Sequence, residues 1–472
     1  MLQVAKGQLP SPNNLPRTFS SLISSLKEEL IQVRKVQVCI NNCNIYVDDT
    51  SKCPICSEDR YTTDNLGRKR SWKNFSYCLI GDSLQMMFGC KNIAQVIQST
   101  GRNVKVLVGD IQESQAWENW MDETSANSVT IALGLNTDGV NPYHSAGQKY
   151  SFWPLIFTIM NLPKFIRCKP DALVLYGIIP GKFDHRDNSP VVPKMEAYQQ
   201  LMVEELLSLC STELYSAYSQ APIKVKVQLL AYMMDIQAYS KYFKMSGPTS
   251  YYPCMECKIK AQYIHGKMCL LNHENYHQFA RRDQREERVH RNRYDQLNEG
   301  PVSARVSLAQ QLGVKGSYAD MTLPYHDRVA TLAIDGMHTI RNVTVNILNA
   351  IRGKLVDVPS LTLANSLLQV ADERLAGLVI PSWVDMRVQK SVITNPIAMK
   401  THDYKQLVHQ RILQYLFRGL FDREVEKVVY ELLDCMGRLY SEEIDTSNTS
   451  IRDRLITAIV SFEQMFPRLM VS

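Results

Sequence analysis

Between residues 128 and 235 three apolar strands, one helix and a fourth strand follow in order, and an aspartate closes both the first strand and the fourth. SVTIALGLNTDGV alternates in the manner of a strand and stops at Asp138-Gly139. YSFWPLIFTIMNLP (150–163) is an apolar, aromatic run bounded by Pro163, and DALVLYGIIPG (171–181) is closed by Pro180-Gly181. Residues 195–220 have a 3.6-residue period and predict a helix; IKVKVQLLAYMMD (223–235) predicts the fourth strand. This order predicts one mixed sheet with the helix packed on it.

Two acids at strand ends suit a specific chemistry. Phosphodiester cleavage by a metal pair needs carboxylates that hold two Mg²⁺ ions about 4 Å apart. Mg²⁺ prefers hard oxygen ligands and keeps positions open for water and phosphate. An RNase H-like domain places such acids at the ends of its first and fourth strands, with a third on a later helix. Asp138 and Asp235 occupy the first two places in the pattern. Asp before Gly at a strand end is also ordinary turn chemistry. Asp235 is less ordinary, because it follows LLAYMM, and an unpaired buried carboxylate is costly.

The cysteines point to a second metal. Twelve occur in 472 residues, too few for a disulfide scaffold, and the N-terminus lacks the apolar core of a secretion signal. In a reducing compartment paired cysteines read as metal ligands before disulfides. Cys39-x3-Cys43-x9-Cys53-x2-Cys56 offers four soft ligands on two close turns, a Zn²⁺ set. A further pair, Cys254-x2-Cys257, needs two more ligands; Cys269, His265, His273, His277 and His338 are the supply. His338 taken alone reads as a satisfied interior histidine sooner than as a ligand.

Apolar residues make up 45% and charged residues 21%, which excludes wholesale disorder. No apolar stretch reaches the roughly 20 residues that a membrane span needs. The net charge of +6 permits a polyanionic partner without requiring one. Residues 1–20 read as a linker, 21–33 as a short helix, and 80–100 and 110–124 as helices. Further helices are expected over 276–293, 327–351, 361–377, 404–420, 423–440 and 449–466. Arg281, Arg282, Arg285, Arg288, Arg291 and Arg293 lie along the first of these, interleaved with acids as on a solvated face. Arg68, Lys69, Arg70 and Lys73 form a second basic patch.

The ordered blocks resemble the CACTA (En/Spm) DNA transposases, in their tnp2-type catalytic region with its C-terminal helical region. LGLNTDGVNPYHSAGQKYSFWPLIFTIMNLP and ALVLYGIIPG resemble the catalytic start. YMMDIQAYSKYFKMSG and YYPCMECK resemble the second-aspartate and CxxC block. IDGMHTIRNVTVNIL resembles the Met-His block, MKTHDYKQLVHQRILQYLFRGL the start of the helical region, and CINNCNIY with KCPICSEDRY the cysteine ribbon ahead of the core. The resemblance implies a DDE/D transposase. Asp138 and Asp235 match its first two acids, and Asp403 the third. Asp403 reads equally as a helix cap, with Asp372 and Glu373 as the fallback pair. Cys254, Cys257 and His338 match zinc-associated positions of a helical insertion, and His273 is the candidate fourth ligand.

The expected fold is therefore α/β, an RNase H-like mixed-sheet core with an N-terminal zinc ribbon, a helical zinc-stapled insertion and a helical C-terminal region. Its expected parts are a linker and short helix (1–35), the ribbon (36–62), a helical pre-core region (63–125), core strands (126–240), the insertion (241–395) and the C-terminal region (396–472). The expected activity is cutting and joining of double-stranded DNA at transposon ends with Mg²⁺ or Mn²⁺ as catalytic metal and Zn²⁺ as structural metal. A homo-oligomer on DNA, no membrane and nuclear placement go with it. Short flanks outside these blocks also fit a domesticated derivative, or a catalytically inactive, zinc-stabilised DNA-binding or interaction module. A general nuclease would share the acids.

Overall fold

The computed structural model describes residues 31–470, except 102–104, 106, 122–127, 143–150, 184–189, 192–193, 255–258, 265, 272–286, 329–330, 334, 356–357, 387–390, 395–398 and 446–448. The chain divides into two compact units: Met1–Gly101, Trp120–Tyr232 and Thr322–His326 in the first, and Arg102–Asn119, Met233–Met321 and Asp327–Ser472 in the second. No helix among the described residues is long and apolar enough to cross a membrane.

The first unit is built on a sheet. Its elements are β1 (Val33–Val38), β2 (Ile45–Tyr46), β3 (Tyr61–Thr63), β4 (Lys69–Ser71), β5 (Lys73–Cys78), α1 (Ile80–Phe88), α2 (Lys91–Ser99), β6 (Ser128–Asn136), β7 (Trp153–Ile159), α3 (Lys164–Arg167), β8 (Leu173–Ile179), α4 (Glu196–Ser208), β9 (Thr212–Ser216) and β10 (Ala221–Met233). Eight strands of a nine-stranded mixed sheet lie side by side, in the order β9-β10-β6-β7-β8-β5-β1-β2. All four strands expected between 128 and 235 are present within a few residues of their expected limits. β6 is buried on both faces from Val129 to Leu135, and that accounts for its near-continuous apolar run.

Two expectations change. The helix expected over 195–220 ends at Ser208, and Thr212–Ser216 form a strand paired antiparallel with β10, from Thr212↔Val225 to Ser216↔Ala221. Leu214 and Ser216 turn inward there while Glu213 and Tyr215 face out, a two-residue alternation that the preceding helical period hides. The helix expected over 21–33 falls mostly outside the described residues, and Val33 already belongs to β1.

Helix α4 presents Tyr198, Met202 and Leu206, one turn apart, to the sheet. Tyr198 meets Phe75 of β5 edge-on at 4.9 Å between ring centroids. Phe75 also fixes the crossing of β5 and β8. A Cβ on Gly177 would come within 2.4 Å of the Phe75 ring, so only glycine lets these strands approach.

The second unit is mainly helical: α5 (Ile236–Tyr242), α6 (Glu287–Glu299), α7 (Arg305–Leu312), α8 (Gly336–Ile351), α9 (Asn365–Ala376), α10 (Thr401–His409), α11 (Ile412–Phe417), α12 (Arg423–Leu439) and α13 (Thr449–Met465). Its core joins Ile340, Ile347 and Ile351 of α8 to Leu407, Leu416, Val429, Leu433 and Phe462. The single helix expected over 404–420 is two, broken at Arg411, whose φ of 54° is left-handed. The Arg411 guanidinium pairs with Asp434, which also takes Arg438 at 3.1 Å and Arg454 at 3.2 Å. This shared carboxylate ties the break to α12 and α13.

Candidate metal sites

The four cysteines of the first set converge. β1 delivers Cys39, and the chain turns back at once: Asn42 N–H donates to the Cys39 carbonyl at 2.8 Å, and Cys39 N–H to Asn44 at 2.9 Å. A second loop repeats the device, with Ser57 N–H on the Cys53 carbonyl at 2.9 Å and Cys53 N–H on Glu58 at 2.8 Å. Each loop passes through one left-handed residue, Asn42 at φ 56° and Ser57 at φ 61°. Cys39, Cys43 and Cys53 are buried and Cys56 is half-buried.

Every sulfur lies within 4.8 Å of the others. Cys43 Sγ is 3.4 Å from the sulfurs of Cys39, Cys53 and Cys56, and Cys39 Sγ is 3.4 Å from that of Cys56. Those separations exceed a disulfide bond, about 2.05 Å. They approach the edge of a zinc tetrahedron, about 3.8 Å for Zn–S bonds near 2.3 Å. Donors already face the sulfurs: Asn41 N–H approaches Cys39 Sγ at 3.3 Å, and Asn41 Nδ2 approaches Cys56 Sγ at 3.4 Å.

The electrostatics agree. Burial pushes the Cys39 and Cys43 thiols up, and the neighbouring sulfurs add to the effect at Cys43. Burial also pulls Cys56 up, but donors from Asn41 and Glu58, with the adjoining thiols, outweigh it and bring Cys56 to about 6. One thiolate is thus easy and four are not, unless a dication balances them. The set can hold a zinc ion. Sequence reasoning found the four sulfurs and passed over Asn41 and Asn42. The available signal was two asparagines inside Cys-x3-Cys, because Asn tolerates the left-handed turn.

The second expected zinc set is incompletely described. Cys257 and His273 lie outside the described residues. Cys254 is half-buried. His338 sits on the first turn of α8 with its side chain 51% exposed and its ring Nδ1 2.5 Å from Asp335 Oδ2. Among the described residues, only the set at 39–56 gathers three or more metal-ligating groups.

Each expected catalytic acid is engaged with backbone. Asp138 is exposed two residues beyond β6, and its Oδ1 accepts Gly139 N–H at 2.6 Å. Asp235 is half-buried two residues beyond β10 and caps α5, its Oδ1 accepting Ala238 N–H at 2.6 Å. β6 and β10 are neighbours in the sheet. Asp403, in the first turn of α10, is 2% exposed. Its Oδ2 accepts the N–H of Lys400, the N-cap residue, at 2.8 Å, and its Oδ1 is 3.1 Å from His402 Nε2. Of the fallback pair, Asp372 is taken up by Ile393 N–H at 2.8 Å and the Thr394 hydroxyl at 2.6 Å. Arg293, of the expected arginine face, donates from Nη1 to the Leu312 carbonyl at 2.9 Å instead. The segment carrying Arg281, Arg282 and Arg285 lies outside the described residues.

Among known protein families, residues 108–311 match the model of the transposase family tnp2. The match suggests a transposase function. It takes in Asp138, Asp235, Cys254, Cys257 and His273, and leaves out Cys39–Cys56, His338 and Asp403. No curated protein matches the chain.

Proposed function

We propose that this chain is a DDE/D-type DNA transposase of the CACTA (En/Spm) kind, or a domesticated derivative, that cuts and joins DNA at transposon ends. One observation carries the reading. The tnp2 match contains two strands that are neighbours in the sheet, and each has an aspartate two residues past its end. Three antiparallel-linked strands, a helix and a return strand beside the first also support an RNase H-like core.

In this reading Asp138, Asp235 and Asp403 hold Mg²⁺ or Mn²⁺. The bound metals supply Lewis-acid activation of a hydroxyl and stabilisation of the leaving oxygen. Asp138 and Asp235 would hold the ions from strand ends and Asp403 from the first turn of α10, each carboxylate already accepting one backbone N–H. Zn²⁺ at Cys39, Cys43, Cys53 and Cys56 is structural, and Cys254, Cys257, His273 and His338 form a second zinc set. The partner is double-stranded DNA, engaged by a homo-oligomer in the nucleus.

Asp403 favours a second reading. One of its oxygens accepts the Lys400 N–H and the other lies 3.1 Å from His402 Nε2, inside a nearly closed surrounding. It therefore fits an open metal position less well than Asp138 does, as in a catalytically inactive DNA-binding or interaction module. The deciding experiment is Mg²⁺-dependent nicking of duplex DNA carrying element ends, with Asp138→Asn and Asp235→Asn beside wild type. Cleavage by wild type alone supports the transposase. Absence of cleavage by wild type in both Mg²⁺ and Mn²⁺ hands the case to the non-catalytic reading.

A further inference from the structure

The cysteine loops run directly into a small two-stranded ribbon, β3 and β4. Its register is Tyr61↔Ser71, Thr62↔Arg70 and Thr63↔Lys69. Side chains alternate along a strand, so Arg68, Arg70 and Trp72 fall on one face and Lys69 on the other. The contacts bear this out for the arginines, which meet the same oxygen. Arg68 Nε is 3.1 Å and Arg70 Nε 2.9 Å from Asp64 Oδ2.

Asp64 is itself fixed. Its Oδ1 accepts Leu66 N–H at 3.0 Å and Arg68 N–H at 2.9 Å, and Gly67 at φ 75° closes the tip between them. One carboxylate thus orients two guanidiniums and leaves a net positive face. Both are held through Nε, and the Nη groups carry the other four N–H donors of each side chain. The arginine side chains are each 61% exposed and Trp72 is 47% exposed. Paired, pre-oriented forks suit phosphate oxygens better than flexible lysines do. A two-stranded ribbon is also a shape that the major groove of DNA admits.

We propose that the β3–β4 ribbon is a contact surface for duplex DNA, with Arg68 and Arg70 on backbone phosphates and Trp72 packed against an adjoining sugar. It rests on the DNA-binding part of the function proposed above and names the surface that part leaves open.

The test uses the full chain, zinc-loaded, and fluorescence anisotropy with a labelled duplex and a labelled single strand of equal length over a salt series. Arg68→Ala with Arg70→Ala is expected to make the log affinity–log salt slope on duplex shallower by about 1.8, because each lost phosphate contact removes about 0.9. Trp72→Ala is expected to weaken duplex binding with the slope unchanged, because the indole carries no charge. Arg68→Lys with Arg70→Lys is expected to keep the slope and lose affinity, and it reads the same question should the alanine pair lose zinc or melt early. Wild-type slope and affinity in the alanine pair would overturn the ribbon while leaving DNA binding intact. So would a loss confined to the single strand. A wild-type chain that binds no duplex would overturn the parent function, and this surface with it.

Discussion

The side-chain amide of Asn42 donates to the carbonyl of Pro180 at 2.9 Å, across 138 residues of sequence. Asn42 is fully buried between Cys39 and Cys43, and its Oδ1 also accepts the Tyr198 hydroxyl at 3.0 Å. Lys73 Nζ lies 3.4 Å from that oxygen and donates to the Gly181 carbonyl at 2.8 Å. One residue of the first cysteine loop therefore touches the end of β8, the face of α4 and the start of β5. The cysteine loops are bonded into the sheet, so their metal state and the stability of the sheet are linked.

Replacing Asn42 should show the link. Asn42→Ala leaves the Tyr198 hydroxyl and the Pro180 carbonyl without this partner and forces alanine to a φ of 56°. Losing the two hydrogen bonds costs on the order of 1–3 kcal/mol, and the left-handed backbone about 1–2 kcal/mol more. Asn42→Gly avoids the backbone part and should melt between the alanine variant and wild type. Thermal melts of the three proteins check the order. An alanine variant as stable as wild type would break the argument.

Removing zinc should act on the same unit. Exhaustive chelation, or Cys39→Ser, should lower the first melting transition, because four converging thiols repel one another's ionisation without a dication. Metal analysis should find zinc in the purified wild type and a reduced content in the variant. Protein purified without zinc, or mass spectrometry showing these cysteines disulfide-bonded in cells, would count against it.

Glu205 gives a pH dependence. Burial raises its carboxyl from 4.5 to about 6, against the pull of Gly81 N–H, which it accepts at 3.0 Å. A raised acid binds its proton more tightly in the folded state. Its contribution is therefore complete below about 4.5, and is lost as pH rises through about 6. Above that the ionised side chain costs on the order of 1–2 kcal/mol. Glu205→Gln keeps an acceptor for Gly81 and should be more stable than wild type at neutral pH, and equal to it near pH 4. Denaturant midpoints at the two pH values decide it; a constant difference would reject the assignment.

Asp403 separates a ligand from a cap. Asp403 stands third in α10 and accepts the N–H of the N-cap residue Lys400, a bond that an Asn side-chain oxygen can also accept, so Asp403→Asn should keep its melting point within a few degrees of wild type. A metal ligand loses its charge in that change, so strand cleavage should fall at least a hundredfold, as with Asp138→Asn. If Asp403→Asn cleaves like wild type while Asp138→Asn is dead, the third acid lies elsewhere, and Asp372 or Glu373 follows.

Local pattern was enough for much of this molecule. Two-residue alternation and 3.6-residue periods placed the strands that end before Asp138 and Asp235 and most of the helices after Gly336, because those periods record which face is buried. Cysteine spacing placed Cys39, Cys43, Cys53 and Cys56, because close pairs on turns can meet one ion with little chain between them. Other features depended on partners far away in sequence. β9 is a strand because β10 offers it an edge, although its residues continue the period of α4. The break at Arg411 comes with a pairing of its guanidinium to Asp434, a partner on another helix that no local period records. Asn42 gains its meaning only when Pro180 and Tyr198 come beside it. Periodicity reports solvent exposure, a one-dimensional record; strand edges, shared carboxylates and buried amides are settled by which distant groups the folded chain brings within hydrogen-bonding distance.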